Sequence, residues 1–240
     1  MKIAISGAAC TGKTTLLNGF LKKWPMYSTP STSYRDVILK ENLTHSSNTT
    51  EYTQLMILDW MMGELKSANK YLVFDRCPLD NLAYTLQGNQ NNLISDEVTA
   101  ATISLVRESL KDLDIIFWIK RDKNIPIVAD GLRDVDPKFL EQSDEIFQDL
   151  FHQYCENLES DIFYHKEDVP FICQVEGNLV DDRLAFISEF IDYKGDLIDT
   201  ETSILDPNNV DLLEQLLGEQ KGEMANEAHL KEIMKQFKGV

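Results

Sequence analysis

Apolar residues along this chain fall into two kinds of run. Short, nearly unbroken apolar stretches occur at residues 2–6 (KIAIS), 71–75 (YLVFD), 114–120 (DIIFWIK) and 169–175 (VPFICQV). That is the pattern of parallel strands covered on both faces. Between them, apolar positions recur at helical spacing: TTLLNGFLKKW after the first run, YRDVILKEN, residues 49–68, 95–113 and 139–158, and a stretch around 183–191. Residues 25–33 are rich in Ser, Thr and Pro and predict a loop. The resulting order, β, α, α, α, β, α, β, α, β, α, predicts a three-layer α/β/α domain built on a parallel sheet. From residue 192 onward the periodicity weakens and acidic residues alternate with short Leu and Met clusters. The expected organisation is therefore one domain over residues 1–191 and an acidic, mostly helical appendage over 192–240. The appendage is expected to serve packing or self-association, as in a homodimer.

Composition narrows the function classes. With 43% hydrophobic and 26% charged residues the chain has the means to bury a core, which excludes the disordered class. The formal charge of -17 disfavours an extended nucleic-acid backbone as partner, leaving that reading open only if Lys22, Lys23, Arg35 and Lys40 form a local basic groove. Small phosphorylated ligands remain compatible, because a few focused donors hold them. Cys10, Cys77, Cys155 and Cys173 form no CxxC pair and no metal-ligand spacing, which predicts reduced thiols and no structural zinc. A strand that leads straight into a glycine loop leaves no place for a signal peptide, and no apolar run is long enough to span a membrane. A cytoplasmic location is the expectation.

The loop after the first strand carries the strongest chemical signal. Gly7-Ala8-Ala9-Cys10-Thr11-Gly12-Lys13-Thr14 follows the pattern G-x-x-x-x-G-K-T, lies between a predicted strand and the helical stretch TTLLNGFLKKW, and with Thr15 is the expected nucleotide-binding segment. In that setting glycines let backbone amides curl around phosphate oxygens, and the helix N-terminus adds partial positive charge. Lys13 would reach the β- and γ-phosphates of ATP, and the Thr14 hydroxyl would ligate Mg²⁺. Cys10 fills a free position of the motif.

The second strand ends in Asp75-Arg76, beside that loop in a parallel sheet. Asp75 could hold Mg²⁺ through water or accept the proton of an attacking hydroxyl, and Arg76 could clamp phosphate oxygens. Asp80 and Tyr84 follow as acceptor-side candidates, while Tyr52 and Trp60 read as helix-packing residues. The segment DRCPLDNLAY resembles the D-R-x6-A-Y segment of thymidylate kinases in Asp75, Arg76, Ala83 and Tyr84. It departs from them at Cys77, where those enzymes carry an aromatic residue, and at Asp80 or Asn81, where they carry a serine.

After the third strand come Arg121 and then the polar stretch ADGLRDVDP, in which Arg133 is the first candidate to fold over ATP and neutralise charge on the transferred group, with Arg121 second. This stretch resembles the DGxR lid of the ribosylnicotinamide kinase domain found in bacterial NAD-biosynthesis regulators. The resemblance extends to Arg35 in YRDVI and Gln54 in YTQLMILDW, which it implies are acceptor-binding residues. Together these features predict an ATP- and Mg²⁺-dependent phosphotransferase acting on a small nucleoside or nucleoside monophosphate. A slow NTPase switch and a kinase acting on nucleic acid are the competing readings. The switch reading lacks an NKxD-like or TKxD-like guanine-specifying motif.

Overall fold

The computed structural model of the protein describes residues 1–122, 136–156, 160–163 and 169–198. Among these, four parallel strands, β1 (Lys2–Ser6), β2 (Leu72–Asp75), β3 (Ile115–Trp118) and β4 (Phe171–Gln174), form one sheet in the order β2-β1-β3-β4. β1 is central, and its register pairs Ile5 with Asp75 on one side and with Phe117 on the other. A single parallel bridge between Ser28 and Leu72 extends the sheet beyond β2.

Alternation along each strand divides the core into two layers. Ala4, Phe74, Ile116, Trp118 and Ile172 face one side, where they pack with helices α3 (Glu51–Leu65), α4 (Pro78–Gln90), α5 (Asp96–Leu110) and α6 (Pro137–Cys155). Ile3, Ile5, Val73, Ile115 and Phe117 face the other side, where they meet α1 (Lys13–Lys23) and α7 (Val180–Ile187). Helix α2 (Tyr34–Lys40) packs on α3 through a smaller cluster of Ile38, Ile57 and Met61. The helix starts are set by local chemistry: Ser33 and Asp36 form a reciprocal capping box at α2, while Thr50, Ser95 and Asp136 accept first-turn amides of α3, α5 and α6.

The predicted α/β/α architecture with a parallel sheet is the observed one. One helix was not in the predicted order. α4 buries Asp80, Asn81, Thr85, Gln87 and Gly88 alongside its core residues Leu79, Leu82 and Ala83, so polar positions interrupt the usual apolar periodicity. Pro78 at its first turn is favourable there rather than disruptive. A compact unit runs Met1–Leu197. Residues 192–197 pack within it, since Trp24 Nε1 donates to the Asp192 carbonyl, Tyr27 Oη donates to the Gly195 carbonyl, and Ile191 bridges Leu197. The helix expected within residues 199–240 lies outside the described residues. No described helix is long and apolar enough to cross a membrane.

Candidate active site

The parallel register of β1 and β2 brings two chain ends together. β1 runs into the glycine loop and β2 stops at Asp75-Arg76, at the carboxyl edge of the sheet where α/β folds open their ligand crevice. Gly7 has φ 136° and Gly12 has φ 88°, both closed to most side chains. A Cβ on Gly7 would also collide with the Ile119 carbonyl oxygen. Gly12 is the N-cap of α1 and has no side chain to satisfy the first-turn amides, and no acidic residue stands in that turn. These orphan donors, with the helix dipole behind them, make an anion seat.

Lys13 is almost fully buried, and its Nζ donates to the carbonyls of Gly7 (2.8 Å) and Ala8 (2.6 Å) and to Thr11 Oγ1 (3.3 Å). Burial first, and then the nearby Arg76 charge, lower its pKa to about 7, against the pull of Asp80 and Asp75. An incoming polyphosphate would reverse that balance by supplying the charge that burial withholds. Next in the chain, Thr14 Oγ1 donates to Asp75 Oδ2 at 2.7 Å. A hydroxyl and a carboxylate oxygen side by side are hard oxygen ligands, the donor set that suits Mg²⁺ in phosphate-handling sites.

Arg76 and Asp80 form the other pillar. Arg76 adopts φ 82°, and its backbone N–H donates a hydrogen bond to the Ile5 carbonyl at 3.0 Å. Its Nη1 donates to Asp80 Oδ1 (3.2 Å) and to Tyr84 Oη (3.3 Å), and its guanidinium lies between the rings of Tyr34 (5.3 Å) and Tyr84 (5.1 Å). Although burial opposes its charge, the phenols of Tyr84 and Tyr34 and the Asp80 carboxylate raise its pKa well above the usual value. Asp80 also accepts from the amide of Gly7 (3.3 Å) and the amide of Cys77 (3.0 Å). Its oxygens thus bind the phosphate loop to the start of α4. Burial raises the Cys77 thiol well above its ordinary value, so it stays protonated.

Arg76 and Asp80 line a cavity of about 260 Å³, together with Cys10 to Thr15 of the loop, Asp75 and Tyr84, and Arg35 and Gln54 from α2 and α3. The cavity therefore brings together most of the sequence-predicted site. Gly7 and Ala8 are buried loop residues that do not line the cavity, and Asp80 lines it while almost fully buried. Arg121 stands apart from the cavity wall, its amide bound to Asp144 Oδ1 at 3.4 Å. Arg133 lies outside the described residues.

Three further residues were not singled out from sequence. Tyr34 covers Arg76 and accepts from Arg35 Nε at 3.2 Å; burial raises its phenol, but the two arginines outweigh this and hold it below the usual range. Asn81 donates to Gln54 Oε1 (2.8 Å) and to the Gln54 carbonyl (3.0 Å), while its own Oδ1 finds no donor among the described residues. Gln54 Nε2 in turn donates to Thr49 Oγ1 at 2.8 Å. Arg183 reaches the loop from α7. Of these only Asn81 had a local signal, its position in the Asp75-Arg76 segment.

Fold and site define a P-loop nucleotide-binding protein with the architecture of the nucleoside and nucleotide kinases. The sequence matches the AAA domain family over residues 2–158, and the chain belongs to that family. No curated protein sequence matches it significantly. Among solved structures it is similar to a deoxyadenosine kinase from M. mycoides holding dCMP and dCDP, at 18% identity and TM-score 0.60, covering 79% of this chain and 97% of that one. It is also similar to NadR in complex with NR, at 18% identity and TM-score 0.56; 84% of this chain is covered but only 54% of NadR. A thymidylate kinase from Candida albicans aligns at 18% identity and TM-score 0.52, over 82% of this chain and 94% of that one. At such identities the likeness is one of fold.

Proposed function

We propose that this chain is a kinase that moves the γ-phosphoryl group of ATP, with Mg²⁺, to a small nucleoside or nucleoside monophosphate. The observation that carries this reading is that the phosphate loop and Arg76, Tyr84, Gln54 and Asn81 line one and the same cavity, with Asp75 on its lining bonded to Thr14. Donor and acceptor would meet over Asp75.

The chain's own groups fit the parts of phosphoryl transfer, which is mostly positioning and charge stabilisation. The loop amides and Lys13 would hold the β- and γ-phosphates. Thr14 and Asp75 would hold Mg²⁺, which neutralises phosphate charge when bound. Asp75 would hold it through water or would accept the proton of the acceptor hydroxyl. Arg76, fixed between two phenol rings and Asp80, presents a pre-oriented cation to the transferred group. Arg133 and Arg121 are proposed to close over ATP from the segment after β3.

Acceptor recognition falls to the far end of the cavity. The orphaned Oδ1 of Asn81, only 2% of whose surface is exposed, lacks a donor that a base amino group or carboxamide would supply. Gln54 and Arg35 line the same end. The ligands bound in the similar structures, dCMP and dCDP in the deoxyadenosine kinase and NR in NadR, support a small acceptor of the nucleoside or nucleotide class.

The acidic surface favours a small acceptor over a nucleic-acid end. Of the basic residues that would have to form a groove, Lys23 is bound to Ser188 and the Leu184 carbonyl, and Lys40 pairs with Glu41. The test is a coupled ATP-consumption assay with Mg²⁺ across nucleosides, deoxynucleoside monophosphates and nicotinamide riboside. Acceptor-dependent turnover supports the kinase; hydrolysis that no acceptor stimulates overturns it.

A further inference from the structure

Arg183 is a charged residue with 5% of its surface exposed, on a helix that the phosphate-loop motif does not include. Its Nη1 donates to the Thr11 carbonyl at 2.8 Å and its Nε to the Gly177 carbonyl at 2.9 Å. A guanidinium withdrawn from water and held by two backbone carbonyls costs desolvation, and burial does lower its pKa, with Asp122 acting in the opposite sense. Such a cost invites a role for what the guanidinium holds.

What it holds is the phosphate loop. Thr11 Oγ1 donates to the Ala8 carbonyl at 3.2 Å and accepts from Lys13 Nζ at 3.3 Å, so Arg183 connects through one residue to the loop lysine. Gly12 lies directly against it: a Cβ there would come within 3.1 Å of Arg183 Nη1. Docking α7 on α1 does not require this reach. Leu16, Leu17 and Phe20 already pack with Val180, Leu184 and Ile187, and Lys23 Nζ binds Ser188 Oγ at 2.5 Å.

We propose that Arg183 is a positioning residue of the nucleotide site. It ties the Thr11–Gly12 stretch to the turn after β4, fixes the loop in its anion-receiving shape, and adds a buried positive charge behind it. The inference rests on reading the loop as a nucleotide site and not on the identity of the acceptor.

The test uses the full chain with Arg183→Gln and Arg183→Lys. Calorimetric titration gives the dissociation constants for MgATP and for AMP, and urea unfolding gives the stability of the nucleotide-free protein. Losing a charge-assisted bond to the loop should weaken MgATP binding by about tenfold in Arg183→Gln. AMP, which lacks the β- and γ-phosphates, should change by less than about twofold. Arg183→Lys keeps the charge without the two-pronged geometry and should recover part of the loss. MgATP affinity unchanged in both variants, or ATP and AMP weakened equally in step with the urea midpoint, would overturn the proposal by making Arg183 a brace of the fold alone. If Arg183→Gln does not fold, Arg183→Lys decides: a loss for MgATP that AMP does not share supports the proposal, and an unchanged constant overturns it. Should the unmodified chain bind ATP but phosphorylate no acceptor, the kinase reading fails while the Arg183 result stands.

Discussion

Asp80 and Arg76 are joined through Asp80 Oδ1, 3.2 Å from Arg76 Nη1, and the same oxygen accepts the Gly7 amide at 3.3 Å. One buried carboxylate oxygen thus sets both the first residue of the phosphate loop and the cation that faces it. The pair is nine-tenths buried on the arginine side and more so on the aspartate side. Removing one partner of such a pair leaves the other charge uncompensated. Asp80→Ala should lower the unfolding free energy by about 3–5 kcal/mol, read from the urea midpoint. A loss below about 1 kcal/mol would mean that solvent already screens Arg76.

Thr14 and Asp75 share a 2.7 Å hydrogen bond at the foot of the cavity. Asp75→Asn keeps the shape and removes the charge, so turnover should fall by about 10²-fold or more. Thr14→Ala should raise the Mg²⁺ concentration needed for half-maximal rate while leaving the fold intact, since Thr14 is exposed. Steady-state rates across a Mg²⁺ series separate the two effects.

Lys13 carries a sign that can be worked out. Its pKa is lowered to about 7 by burial first and Arg76 second, so between about pH 7 and its ordinary value near 10.5 the unfolded chain holds a proton that the folded, nucleotide-free chain has released. This group therefore makes the nucleotide-free protein more stable as pH rises through that window. ATP binding needs the ammonium form and should take up a proton at pH 8, with affinity falling by up to about tenfold per pH unit above 7. Calorimetry in buffers of different ionisation enthalpy reads that proton directly. Binding at pH 8 with no proton uptake would contradict the assignment.

Asn81→Leu should raise KM about tenfold for acceptors bearing a base amino group or carboxamide, because the buried acceptor they would satisfy is gone. The ATP dissociation constant should stay within about twofold, since Asn81 contacts Gln54 and not the loop. A loss confined to ATP would place Asn81 on the wrong side of the cavity.

Much of this was legible from local pattern. The four strands, the loop between β1 and α1, and the Asp75-Arg76 strand end all announce themselves in consecutive residues, where glycine conformation and apolar runs leave few alternatives. α4 did not, because polar Asp80, Asn81, Thr85 and Gln87 are buried among its core residues Leu79, Leu82 and Ala83 and break the apolar periodicity; Asp80 bonds the loop and Asn81 lines the cavity. Arg183 and Tyr34 were silent for another reason. Their roles come from contacts across 172 residues to Thr11 and across two helices to Arg76, and no local pattern records such meetings.

Direct phosphoryl transfer tests the central claim. The unmodified chain, incubated with Mg²⁺, ATP labelled in its γ-phosphate and an equal mixture of candidate nucleosides and nucleoside monophosphates, should move label into one acceptor class, and Lys13→Ala should abolish the transfer. Label appearing only as inorganic phosphate, at the same rate with and without acceptors, would contradict the account.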